Sequence, residues 1–100
     1  MPSTVAEHSP EFRIFETDRF QDDLERISPE RKVKLERKLR ESVYPQLRAQ
    51  PYFGPNIKKL RSFDPETWRY RIGPYRFFCT IDDRERTVFM IAAGTRQSSY

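Results

Sequence analysis

The sequence predicts a single α+β domain of order β-α-α-β-β-β, a largely antiparallel sheet with two helices packed on one face. Three observations predict it. Apolar residues recur at helical spacing in the first half, as Phe20, Leu24 and Ile27 and then as Leu35, Leu39, Val43 and Leu47. Two short alternating runs flank Gly73-Pro74, the pattern of a β-hairpin. Thr87 to Ala93, TVFMIAA, is the most apolar segment and reads as a central strand. At 100 residues the chain makes one domain, large enough for a modest core, and its fourteen aromatics each bury a large area.

The elements follow in order. Residues 1–10 contain two prolines and small polar residues without periodicity, and are expected to be a flexible extension to a domain spanning 11–100. The lone histidine, His8, lies there and reads as incidental. Phe12 to Glu16 is a short strand with Phe12 and Ile14 on one face. Thr17 or Asp18 can cap the first helix, whose positive end Asp22 and Asp23 favour. Ser28-Pro29 restarts a helix, with serine at the cap and proline at the first helical position. The apolar stripe from Leu35 to Leu47 is its buried face. The opposite face is dense in charges of both signs and reads as solvated. Pro45 is expected to end or kink this helix near Tyr44. Gln50 to Pro55 is a loop, and Ile57 to Leu60 a short extended segment. Hairpin strands at about 67–72 and 75–82 come next, then a turn at Asp82 to Glu85, the apolar strand closed by Gly94, and a polar tail.

With Gly73 and Pro74 as a two-residue loop, Ile72 pairs with Tyr75, Tyr70 with Phe77 and Trp68 with Cys79. On the other side of the sheet Arg71 faces Arg76 and Arg69 faces Phe78. One side is then aromatic and apolar, and the other carries three arginines. Like charges directly across a strand pair are destabilising, so a sheet that holds them expects an anion. The charge distribution agrees. The net charge of +4 lies entirely within residues 56–78, where Lys58, Lys59, Arg61, Arg69, Arg71 and Arg76 meet only Asp64 and Glu66. A local basic excess of this kind is the footprint of phosphate binding, with nucleic acid the abundant cellular polyanion.

Other chemistries find no support. No apolar run approaches the length of a membrane span, and the N-terminus lacks the layout of a secretory signal. A single cysteine, Cys79, forms no internal disulfide, which points to the cytoplasm, and its parity places it in the core. There is no Cys/His ligand set for zinc and no phosphate-loop or dinucleotide motif, so neither metal nor cofactor is expected. Asp82, Asp83 and Glu85 read as turn residues. Trp68, Tyr70, Tyr75 and Phe77 share the parity of Cys79 and Ile81, which makes them core rather than a base-stacking platform. Phe78 falls on the arginine side, where it either stacks on a base or packs under a protein partner. Lys58, Lys59 and Arg61 are candidate phosphate contacts.

The order of elements, Ile57-Lys-Lys-Leu60, the hairpin Trp68-Arg-Tyr-Arg-Ile-Gly-Pro-Tyr-Arg76, and the ending Ile91-Ala-Ala-Gly-Thr-Arg96 with Tyr100 together resemble the RelE/ParE superfamily of toxins over residues 12–100. The resemblance implies the toxin of a type II toxin–antitoxin pair. In its RelE branch it implies a ribosome-dependent endoribonuclease that cuts mRNA without a metal, the 2′-hydroxyl attacking the neighbouring phosphate. It also implies a cognate antitoxin as partner, operator DNA reached only through that antitoxin, and no membrane. Arg69, Arg71, Arg76 and Arg96 match the family's basic residues, and Tyr100 its C-terminal tyrosine of proton transfer or base stacking. Two departures stand out: arginine replaces the lysine that some members have at position 69, and Thr95 stands where others have histidine. Two alternatives remain open, a ParE-like toxin that inhibits DNA gyrase and a toxin-fold protein that only binds its antitoxin.

Overall fold

The computed structural model describes residues 11–27 and 29–95; the expected N-terminal extension lies outside them. Five strands form one mixed sheet: β1 (Arg13–Glu16), β2 (Ile57–Lys59), β3 (Trp68–Ile72), β4 (Tyr75–Asp82) and β5 (Thr87–Thr95), in the order β1-β5-β4-β3-β2. β1 runs parallel to β5, and all other pairs are antiparallel. The apolar segment is central, as its composition predicts, and continues through Gly94 to Thr95. The extended segment at Ile57 is a fifth strand, on the edge beside β3.

Helix α1 (Asp18–Ile27) starts where β1 ends. Thr17 caps it: its hydroxyl oxygen accepts the Phe20 amide at 3.2 Å and donates to the Met90 carbonyl of β5 at 2.9 Å. Phe20 and Leu24 are fully buried, each contributing about 1.5–3 kcal/mol by leaving water. Asp23, expected only to complement the helix dipole, is also buried, at 2 % exposure. Its Oδ2 accepts the backbone N–H of Ala93 at 3.0 Å, and its Oδ1 accepts from Arg26 Nη1 at 2.8 Å. Arg19 Nε lies 3.5 Å from Oδ2. β1 pairs with β5 only as far as Met90, so this carboxylate satisfies the strand's edge beyond the point where its neighbour stops.

The second helical run, α2, spans residues 32–49 after a tight turn at Pro29–Arg31. It does not end at Pro45. Lys32–Lys38 is α-helical, Leu39–Val43 opens into a π turn, and Tyr44–Ala49 resumes the α-helix with Pro45 in its first turn. The π turn accommodates a residue without an N–H; the Tyr44 amide reaches back to the Leu39 carbonyl. It also serves the packing. Apolar residues spaced strictly by four drift about 40° per step around a helix of 3.6 residues per turn, and a wide turn takes up part of that drift. Leu35, Leu39, Val43 and Leu47 all stay buried.

Polar contacts tie the layers together at both ends. The Glu16 carboxylate at the end of β1 accepts hydrogen bonds from Gln21 on α1 and from the Tyr44 hydroxyl on α2. Burial first, then the hydrogen bond and charge of Glu16, push the Tyr44 hydroxyl far above the usual tyrosine range. At the other end the Arg86 guanidinium lies 3.9 Å above the Phe12 ring. Tyr52 stacks edge-on with Trp68 at 5.3 Å and donates to Asp83 at 3.2 Å, which pins the loop before β2.

Phe77, Cys79, Val88 and Met90 form the sheet's side of the core, with Tyr70 beside them and Trp68 and Tyr75 packed against it. The parity expected for the hairpin aromatics therefore holds. Among the described residues no helix is long and apolar enough to cross a membrane.

Replacing Asp23 with Ala strands the Ala93 amide in the interior and should cost about 1–3 kcal/mol, read as a lower urea midpoint with an unchanged slope. Burial pushes the Cys79 thiol up to about 12 from its ordinary 9.0. A thiol-specific reagent at pH 8 should therefore label Cys79 only once denaturant unfolds the chain. Since the folded thiol holds its proton where the unfolded one loses it, Cys79 should also erode stability as pH rises above 9.

Candidate functional site

The side of the sheet away from the helices is set by the hairpin. Gly73 has φ of +57°, and Pro74 is held near −65° by its ring. A positive then a negative φ is the type II′ arrangement, whose twist suits two-residue hairpins. The pairing that follows is the one the sequence predicts: Trp68 with Cys79, Arg69 with Phe78, Tyr70 with Phe77, Arg71 with Arg76 and Ile72 with Tyr75. Residues directly across a strand pair share a face.

Adding β2 and β5 extends each pair into a row. Lys58 sits opposite Arg69, and Phe78 opposite Ala92, giving Lys58–Arg69–Phe78–Ala92 across four strands. The next row is Arg71–Arg76–Gly94. Just past the Lys58 row, on the side away from the hairpin tip, β5 carries a bulge: Phe78 pairs with Ala92 and Cys79 with Met90, which leaves Ile91 as the extra residue. The bulge keeps Met90 and Ala93 on the core side while turning Ala92 and Gly94, which carry almost no side chain, to the arginine side.

Four cations therefore share one face, in rows that contain no acidic residue. Their mutual influence is visible in Arg69. Partial burial, followed by the charges of Arg76 and Arg71, lowers its guanidinium pKa. Its Nε is buried and makes no hydrogen bond among the described residues. Beside it, Pro55, Asn56, Ile57, Lys58, Arg69 and Arg71 line a cleft of about 320 Å³. The Asn56 carbonyl accepts the Arg71 amide at 2.9 Å and so locks the cleft wall to β3. The sequence gives no warning of Asn56, because its role depends on the register of β2.

The other expected residues fall differently. Lys59 pairs with Trp68, on the opposite face, and forms a 2.8 Å ion pair with Glu66; strict alternation along β2 removes it from the cluster. Arg61 lies in the turn beyond β2, at the end of the sheet away from Gly73. Phe78 is on the arginine side as expected, but at 3 % exposure it presents no ring face to a base. β5 ends with Thr95 opposite Tyr75; Arg96 and Tyr100 lie outside the described residues. No group of three or more His, Cys, Asp or Glu that could hold a metal occurs among the described residues.

Residues 14–100 match the family model of the ParE toxin of the type II toxin–antitoxin system parDE. The chain belongs to the RelE/ParE toxin superfamily. Its fold is that of several solved toxins. It overlays the toxin–antitoxin complex RelBE2 of Mycobacterium tuberculosis with a TM-score of 0.68 at 23 % identity, covering 88 % of this chain and 94 % of that one. The isolated RelE toxin of E. coli gives 0.61 at 20 % identity, covering 88 % and 87 % respectively. The RelB–RelE antitoxin–toxin complex of Methanococcus jannaschii gives 0.58 at 18 % identity, covering 83 % and 91 %. No curated protein matches the toxin in sequence.

The like-charged pair at the hairpin end gives a stability test. Replacing Arg71 with Thr should stabilise the free toxin by roughly 0.2–1 kcal/mol at low salt. The gain should shrink as salt screens the repulsion, which thermal melts over a salt series would read directly.

Proposed function

We propose that this toxin is a metal-independent endoribonuclease that cuts mRNA on the ribosome. The observation that carries the reading is the basic face, Lys58 and Arg69 in one row and Arg71 and Arg76 in the next. Cleavage joins the 2′-oxygen to phosphorus and breaks the bond from phosphorus to the 5′-oxygen. It leaves a 2′,3′-cyclic phosphate and a free 5′-hydroxyl, the 2′-proton being balanced by one delivered to the leaving oxygen. Negative charge builds on the phosphoryl oxygens during the attack, and guanidinium groups fixed beside them stabilise it. Arg69, Arg71 and Arg76 hold the phosphate, Arg96 adds a fourth guanidinium, and Tyr100 serves as base or stacks on a nucleotide. Arginine keeps its proton too tightly to act as the base itself. Lys58 contacts a neighbouring phosphate. Lys59, Arg61 and the buried Phe78 take no part in this arrangement. A cognate antitoxin covers the same face in the resting pair, with operator DNA reached only through it, and the toxin acts in the cytoplasm.

The family match favours a second reading, in which the toxin inhibits DNA gyrase as a ParE-like protein. Induction in cells followed by primer-extension mapping, alongside a supercoiling assay, separates the two. Cuts within translated codons are expected, with the rate falling about 100-fold or more in Arg76→Ala and Arg71→Ala. Intact transcripts with inhibited supercoiling would sink the nuclease in favour of the gyrase reading. A harmless protein that still binds its antitoxin would sink both.

A further inference from the structure

The charges of α2 are basic in excess, Lys32, Lys34, Arg37, Lys38, Arg40 and Arg48 against Glu36 and Glu41, and they are sorted in space. Arg31, Lys34 and Lys38 lie at spacings of three and four residues, which puts them on one side of the helical run. There, with Leu35, they meet Pro74 and Tyr75 of the hairpin tip around a groove of about 200 Å³ that no carboxylate lines. Glu36 instead faces a separate cavity at the β1 side, with Arg40, Arg48, Tyr44 and Glu16. The sorting places three exposed cations against the tip of the hairpin that carries Arg71 and Arg76 on its other side. Tyr75 and Arg76 are neighbours in β4 and point to opposite faces, so a single strand end separates the groove from the arginine rows.

We infer that the RNA strand bound at the arginine face continues over the hairpin tip and lays its flanking phosphates along Arg31, Lys34 and Lys38. The inference rests on the nuclease reading and deepens it by giving the RNA a path. Arg31 to Lys38 spans roughly 10 Å at helical rise, about three steps of a stacked strand at ~3.4 Å each. The half-exposed Tyr75 and the exposed Pro74 offer a sugar or base a surface at the corner. An acidic peptide is the rival occupant, and the groove suits it less. A peptide anchors through side chains sunk into a desolvated pocket, whereas here Leu35 is itself buried at 3 % exposure and the exposed lining is three cations beside Pro74 and the half-exposed Tyr75.

The test uses fully 2′-O-methylated single-stranded RNA, which cannot be cut, in lengths of about four and ten nucleotides. Binding is measured over a salt series for the wild-type toxin, Lys34→Ala/Lys38→Ala and Lys34→Arg/Lys38→Arg. Both lysines are exposed, so the variants should keep the wild-type circular dichroism and melting temperature. For the longer RNA the double alanine variant should lower the slope of log affinity against log salt by about 1.4, two phosphate contacts at ~0.7 each for a single strand. The arginine pair should restore the slope, and the short RNA should bind all three proteins alike. An unchanged slope for the longer RNA, or equal losses at both lengths, would overturn the path while leaving the nuclease reading intact. An unchanged RNA slope with weakened binding of an acidic antitoxin peptide would also overturn it and assign the groove to the protein partner. A wild-type toxin that binds neither RNA and leaves cellular transcripts whole would remove the nuclease reading and the path together.

Discussion

The hydrogen bond from the Ala93 amide to the buried Asp23 carboxylate holds the architecture at its least forgiving point. A carboxylate taken out of water costs several kcal/mol unless charges and donors surround it, and Asp23 has Arg19, Arg26 and a backbone amide. In return α1 is fixed against β5 one step beyond the bulge. That bulge decides which β5 residues face the helices and which face the arginines. Without it the alternation along β5 would bring Ala92 to the core and Ala93 to the arginine side, and Gly94 would no longer lie opposite Arg76. The site is thus positioned from the far side of the sheet, by a side chain that never approaches it.

Much of this was legible in the sequence, and the limits have physical causes. The hairpin register follows from a two-residue loop and a period of two, both local, so the pairing of Arg71 with Arg76 could be read directly. β2 has only three residues and pairs across an eight-residue connection. No hydrophobic alternation fixes its register, so Lys58 and Lys59 looked equivalent when alternation separates them. Parity gave the side on which Phe78 lies but not its burial, which depends on what packs over the sheet. Asp23 looked like a dipole-complementing acid because its partner is seventy positions away. Pro45 carried a true local signal, a missing N–H, whose usual outcome is a break. The four-residue apolar repeat running through it called for continuation, and a π turn satisfied both demands.

The sheet also separates two tasks that compete in a small domain. Its helix side holds the main hydrophobic core, while its outer side gathers like charges at some cost in stability. Phe20, Phe77, Leu24, Leu39 and Met90, all fully buried, supply the burial that tolerates such a cost. Fold recognition reflects the same division. Solved toxins at 18–23 % identity share the fold, since an apolar pattern survives sequence change that individual surface residues do not.

The short edge strand has one more consequence. A sheet edge with free amides and carbonyls invites another chain to add a strand, and natural proteins guard such edges with brevity and lysine. β2 has three residues, two of them lysine, and is followed closely by a turn in which Ser62 takes a positive φ. Lys58 is thereby both a member of the basic row and a deterrent to edge-to-edge assembly. The edge of a small sheet has particular need of that guard, because its unpaired amides and carbonyls could otherwise take up a strand from a second copy and so begin a polymer.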